Sequence, residues 1–96
     1  MTVFNIFRNH SIEFLEMRKI AFTWAEYAEL EYKMTCIYEE GEVEDLVHFS
    51  KPGANGILLI SHDILKINVR LGVLLSPFKK TIEQQIVRKI DFLLLD

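Results

Sequence analysis

Ninety-six residues, half of them hydrophobic and 26% charged, with two prolines and four glycines, describe a single domain over 1–96 and exclude a disordered or collagen-like chain. A net charge of −3 without a basic cluster argues against nucleic acid as a partner, and no apolar run approaches the roughly 18 residues of a membrane span. The opening MTVFNIFRNH lacks a basic lead before an apolar core, so no secretory signal is expected, and the lone Cys36 leaves no internal disulfide; both suit a cytoplasmic protein.

TVFNIFR (2–8) is rich in β-branched and aromatic residues and reads as a strand. Ser11 suits a helix N-cap, and from Ile12 to Tyr32 no glycine or proline intervenes. Phe14, Met17, Ala21, Trp24, Ala25 and Ala28 recur at steps of three and four, the stripe of a helix laid on a sheet; Leu15, Phe22 and Leu30 fall off it and offer a second contact surface. KMTCIY (33–38) alternates, with Met34, Cys36 and Tyr38 on one side. EEGEVED (39–45) is expected to be an exposed acidic hairpin connection, and LVHFS (46–50) the returning strand.

KPGANG (51–56) is the strongest turn signal in the chain. ILLIS (57–61) and ILKINVRL (64–71) then flank His62-Asp63 as a tight hairpin. The second strand alternates Leu65, Ile67, Val69 and Leu71 against Lys66, Asn68 and Arg70, the pattern of an antiparallel sheet with one wet face. Ser76-Pro77 marks a helix start, serine as N-cap and proline at N1, followed by Phe78, Ile82, Ile86 and Ile90 at steps of four. The expected fold is α+β, β-α-β-β-β-β-α, with both helices packed on one face of an antiparallel sheet.

Charge is uneven. Residues 1–45 carry ten acidic against four basic side chains, net −6, and residues 46–96 carry seven basic against four acidic, net +3. This reads as two solvated faces. His10, His48, His62 and Cys36 show no metal-ligand spacing, Cys36 reads as a packed thiol, and the acidic residues of 39–45 are expected to be solvated; no catalytic, metal or cofactor-binding residue is assigned. Trp24, Tyr27, Tyr32, Phe7 and Phe49 read mainly as core, with a ligand pocket under the first helix as the alternative. LGVLLSPFKK (71–80) is unusually apolar for a connection. Leu71, Val73, Leu74, Leu75 and Phe78, backed by Lys79 and Lys80, form the candidate interaction surface.

Residues 49–94 resemble the putative polyhydroxyalkanoic acid system proteins, the polyhydroxyalkanoate granule-region family of small bacterial proteins. The likeness is carried by Phe49, Lys51, Gly53, Gly56, Leu71, Gly72, Leu74, Leu75, Pro77, Phe78, Lys79, Ile82, Glu83, Ile86, Ile90 and Asp91. It extends more loosely to His10, Ser11, Arg18 and Ala21. The family's tryptophan near its first hairpin has no counterpart; Tyr38 stands near its place. The resemblance implies a link to storage-polyester metabolism and no established enzyme activity.

These readings converge on a non-enzymatic accessory protein whose partner is a polyester granule or a granule-associated protein. Two alternatives stand beside it. A small hydrophobic-ligand carrier requires an apolar cavity beneath Trp24, and an oligomeric structural module requires a homo-oligomeric interface.

Overall fold

The computed structural model describes residues Thr2–Leu95. Five strands form one sheet: β1 (Thr2–Asn9), β2 (Thr35–Glu39), β3 (Glu44–Lys51), β4 (Ala54–Ser61) and β5 (Ile64–Leu71). Helix α1 (Phe14–Tyr32) follows β1, and helix α2 (Lys79–Leu94) follows β5 through the short 3-10 turn Ser76–Phe78. The spatial order is β1-β5-β4-β3-β2 with every neighbour antiparallel, which is the expected α+β plan. β2 to β5 form a meander. α1 carries the chain from the β1 edge across the sheet to the β2 edge.

Strand alternation sorts the two faces. Phe4 and Ile6, Val47 and Phe49, Leu58 and Ile60, and Leu65 through Leu71 at every second residue are buried against the helices. α1 adds Met17, Ala21, Trp24, Ala25 and Ala28 to this core, and α2 adds Ile86 and Ile90. The alanines let α1 lie close to the sheet, while Trp24 fills the space over Phe49 edge-on, ring centroids 4.9 Å apart. On the other face Val3, Phe7, Ile37 and Ile57 are exposed among Lys66, Arg70 and the Asn68–Asn5 side-chain hydrogen bond of 2.9 Å. Phe7 therefore belongs to the open face rather than the core.

The helix starts differ from expectation. α1 begins at Phe14 behind Glu13, with no side-chain cap bond, so Ser11 is not the N-cap. The chain before it is turned instead by His10. Its Nδ1 accepts the Ile12 amide (3.1 Å) and its Nε2 lies 3.0 Å from the Ser61 carbonyl, an arrangement satisfied by the Nε2–H tautomer. Ser76 likewise caps no α-helix: Leu75 occupies the cap position of the 3-10 turn, with Pro77 in its first turn, and α2 starts three residues later than Ser76.

The turn at 51–56 is tighter than its composition suggests. Lys51 pairs with Ala54, so Pro52-Gly53 alone make the bend, and Ala54-Asn55-Gly56 already belong to β4. Gly53 has φ +90°, the left-handed conformation that a proline-glycine type II turn demands at its second central residue.

Candidate functional site

The segment leaving β5 is built by glycine packing and hydroxyl hydrogen bonds. The Gly72 amide donates to the Gly53 carbonyl at 2.8 Å, which brings the two glycine backbones side by side. The Gly72 carbonyl accepts the amides of Leu75 (3.1 Å) and Ser76 (3.0 Å) and the Ser76 hydroxyl (2.9 Å). Thr2 Oγ1 in turn donates to Ser76 Oγ at 2.7 Å. Ser76 thus ties the segment to Gly72 and to the start of β1, which explains why it does not cap α2. Both ends of the loop are fixed, so its apolar side chains are presented on a defined frame.

Those side chains divide by position. Leu71 is 1% exposed: it continues the buried alternation of β5, pairs with Thr2 and Ala54, and is removed from the candidate surface. Leu75 is half-buried against the core, beside Gly53. Val73 and Leu74 are 78% and 86% exposed, and Phe78 is 56% exposed. Leu74 lies in the turn that precedes the 3-10 segment and Phe78 closes that segment. Lys79 is half-buried with its Nζ 3.9 Å from Glu83, whereas Lys80 is exposed. The surface the fold presents is Val73, Leu74, Pro77 and Phe78 with Lys80 beside them.

The motif positions His10, Gly53, Gly56, Gly72 and Pro77 have structural tasks. Gly53, Gly72 and Pro77 shape the loop end. His10 joins β1 to the β4–β5 connection, where its amide also donates to the Asp63 carbonyl at 3.0 Å. Gly56 lies opposite Phe49 in the β3–β4 pair, and the Phe49 ring covers it. Ser11 is exposed on the link between β1 and α1.

The most tightly held charged group lies where a solvated turn was expected. Asp45, placed by composition in an exposed acidic connection, is 0% exposed. Its Oδ2 accepts Arg18 Nε at 2.7 Å and the Tyr38 hydroxyl at 2.7 Å; its Oδ1 accepts Arg18 Nη2 at 2.9 Å and the Gly41 amide at 3.0 Å. Arg18 also donates to the Gly41 carbonyl at 3.1 Å. Burial by itself pushes the Asp45 carboxyl upward, but the hydrogen bonds from Arg18, Tyr38 and Gly41 outweigh it and hold it below its ordinary value. The Tyr38 phenol is raised by burial and by its bond to the Asp45 carboxylate, and its ring stacks on Phe22 at 4.1 Å and 11°. Parity carried the missed signal: Asp45, Val47 and Phe49 share one side of β3. Since every Asp45 bond is internal, the cluster is a clasp between α1 and the β2–β3 hairpin.

The remaining titratable groups are dispersed. His48 Nε2 lies 2.7 Å from Glu39 Oε1 on the open sheet face, and His62 is exposed in the β4–β5 turn. Cys36 is half-buried, its thiol raised by burial and by the charge of Glu29. Among the described residues, no three His, Cys, Asp or Glu side chains gather where they could hold a metal ion. Among the described residues, no helix is long and apolar enough to cross a membrane.

The fold is thus a two-layer α+β sandwich of one sheet and two helices, with an exposed apolar loop after β5 and a buried carboxylate whose bonds are internal. The chain belongs to the family of putative polyhydroxyalkanoic acid system proteins, whose family model matches residues 4–94. Neither a curated protein nor a solved structure matches it.

Proposed function

We propose that the chain is a non-enzymatic accessory protein of bacterial, cytoplasmic polyhydroxyalkanoate storage, and that it touches the polyester granule surface through Val73, Leu74 and Phe78. The supporting observation is the exposure of these side chains on a loop fixed at Gly72 and Ser76. Exposed apolar groups held in place lose little conformational freedom on binding, and the Lys80 stem can lie over the same interface with its ammonium in water. Membership in the family of putative polyhydroxyalkanoic acid system proteins supports the polyester as the partner. The internal use of Asp45, Arg18 and His10 supports a non-catalytic role.

The test is co-sedimentation with amorphous polyhydroxyalkanoate particles. Covering one leucine is worth about 2 kcal/mol, so Leu74→Asp is expected to weaken particle binding roughly 30-fold. Its unfolding midpoint should stay near the native value, because surface substitutions usually change stability by no more than about 0.5 kcal/mol. Unchanged sedimentation by a folded Leu74→Asp protein removes the loop as the contact.

A further inference from the structure

β4 is the middle strand of the sheet, and its residues Ile57 to Ile60 are all apolar. Leu58 and Ile60 enter the core, whereas Ile57 is exposed and Leu59 half-buried on the open face. An unbroken apolar run is the pattern of a strand covered on both sides; a strand with one side in water alternates, as β5 does. Register shows what surrounds these two residues. One row across the open face reads Phe7, Lys66, Leu59, Leu46 and Glu39, and the next reads Asn5, Asn68, Ile57, His48 and Ile37. Charge is segregated about β4. Lys66 and Arg70 lie on the β5 flank, Glu39 and Glu44 on the β2–β3 flank. Glu39 meets His48 at 2.7 Å, but Lys66, Arg70 and Glu44 have no ion-pair partner among the described residues.

We propose that this face packs on the same face of a second copy, about a two-fold axis that runs parallel to β4 between the two sheets. An apolar centre with a cationic flank on one side and an anionic flank on the other is self-complementary under that rotation. Sheets packed face to face lie about 10 Å apart with strands within about 30° of each other. The rotation sets β4 on the partner's β4, β5 on its β3 and β1 on its β2. Ile57 and Leu59 then meet their own copies. Lys66 lies over the partner's Leu46, with the partner's Glu39 one strand away and the partner's Glu44 two residues along. An axis across the strands would instead lay β5 on the partner's β5 and bring Lys66 towards the partner's Arg70, so charge selects the first arrangement.

Size is sufficient. Five strands about 4.8 Å apart and mostly eight residues long, at about 3.3 Å per residue, offer roughly 600 Å² of projected face per copy. Two such faces reach the small end of the range for specific interfaces, about 1,200 Å² in total. The surface uses none of Val73, Leu74 and Phe78. Rotation about an axis along the strands also leaves the ends of both β5 strands pointing the same way. On the granule reading, the two loops would therefore meet one particle together, which raises avidity.

The test uses sedimentation velocity on the intact protein without particles, so that failure of the dimer and failure of the granule contact are read separately. The expected result is a species of twice the chain mass with a Kd on the order of 10 μM. Ile57→Lys sets two ammonium groups against each other near the axis and should weaken association at least about 100-fold. Lys66→Glu and Glu39→Lys should each weaken it about tenfold by opposing like charges. Both changes in one chain leave the net charge as it was and restore opposite signs across the interface, so the Kd should return to within about threefold of native. All three positions are exposed in the single chain, and circular dichroism should show each variant folded. A monomer up to about 1 mM chain, a dimer that survives Ile57→Lys, or a double variant no tighter than the single ones overturns the arrangement. Dissociation by Leu74→Asp also overturns it, since that places the interface on the loop.

Discussion

Asp45→Ala is expected to destabilise the fold by about 3 kcal/mol, at the lower end of the range for breaking a buried ion pair. The substitution removes the acceptor of four hydrogen bonds, leaving Arg18, the Tyr38 hydroxyl and the Gly41 amide to find other partners. Arg18 is partly exposed and can rehydrate, which holds the loss to the lower end. For a chain of this size the unfolding midpoint should fall by about 15 °C. Asp45→Asn, which keeps the shape but removes the charge, should lie between. A midpoint within a degree or two of native for the alanine variant would show that the clasp contributes nothing net.

The same cluster gives stability a pH dependence whose sign follows from the direction of each shift. The carboxyl of Asp45 is held below its ordinary value, so the native state favours the charged form. Its contribution is fully present above about pH 3.9, the value of an unfolded aspartate, and is lost as pH falls through the lower native pKa. Tyr38 is raised, so its contribution is present below about pH 10 and lost as pH rises through the higher native pKa. Denaturant midpoints measured across pH should decline at both ends, and Asp45→Asn should flatten the acid limb.

Gly56→Ala is the second large effect. A Cβ there would meet the Asn68 backbone oxygen and two Phe49 ring carbons at 2.6 and 2.9 Å. The Asn68 oxygen belongs to the neighbouring strand and cannot move without disturbing the β4–β5 pairing. Phe49 cannot swing away freely because Trp24 packs edge-on against it. Alanine's smaller loss of chain entropy contributes less than about 1 kcal/mol, and overpacking of this kind costs roughly 3 kcal/mol. The result should be a lower unfolding midpoint together with altered Trp24 emission, as the Phe49 ring is displaced. A variant as stable as the native protein would show that β4 can shift to accept the methyl.

What the sequence made legible was mostly periodicity. The alternation in 64–71 and the three-and-four spacing in 12–32 and 82–90 report which side of an element is buried, whereas Phe78, at the head of the second stripe, is exposed; burial of apolar surface is the main force driving a chain to fold. That reading located both helices, the meander and the inner face. The same alternation already placed Leu71 inward, and its location at the mouth of an apolar segment obscured this.

Asp45 was hidden for a related reason. Composition made 39–45 look like a solvated turn, while the two-residue parity with Val47 and Phe49 put its side chain in the core. Its partner Arg18 is 27 residues away, so only the packed fold brings the charges together. The Ser76 cap failed on competition. A serine before a helix can cap it, but Ser76 has the Gly72 carbonyl and Thr2 hydroxyl within reach, and local rules do not count distant partners. The cavity of about 90 Å³ beside Trp24 depends on how α1, α2 and Leu75 meet over Ala54, a matter of three-dimensional packing.

The central claim is that the fixed loop after β5 meets the polyester. Amide hydrogen exchange on the intact protein, with and without amorphous polyhydroxyalkanoate particles, tests it most directly. Slowed exchange concentrated in residues 72–79 and the first turn of α2 is the expected result. Protection confined to the open sheet face or the β1 and β2 edges, or no protection anywhere, would contradict it.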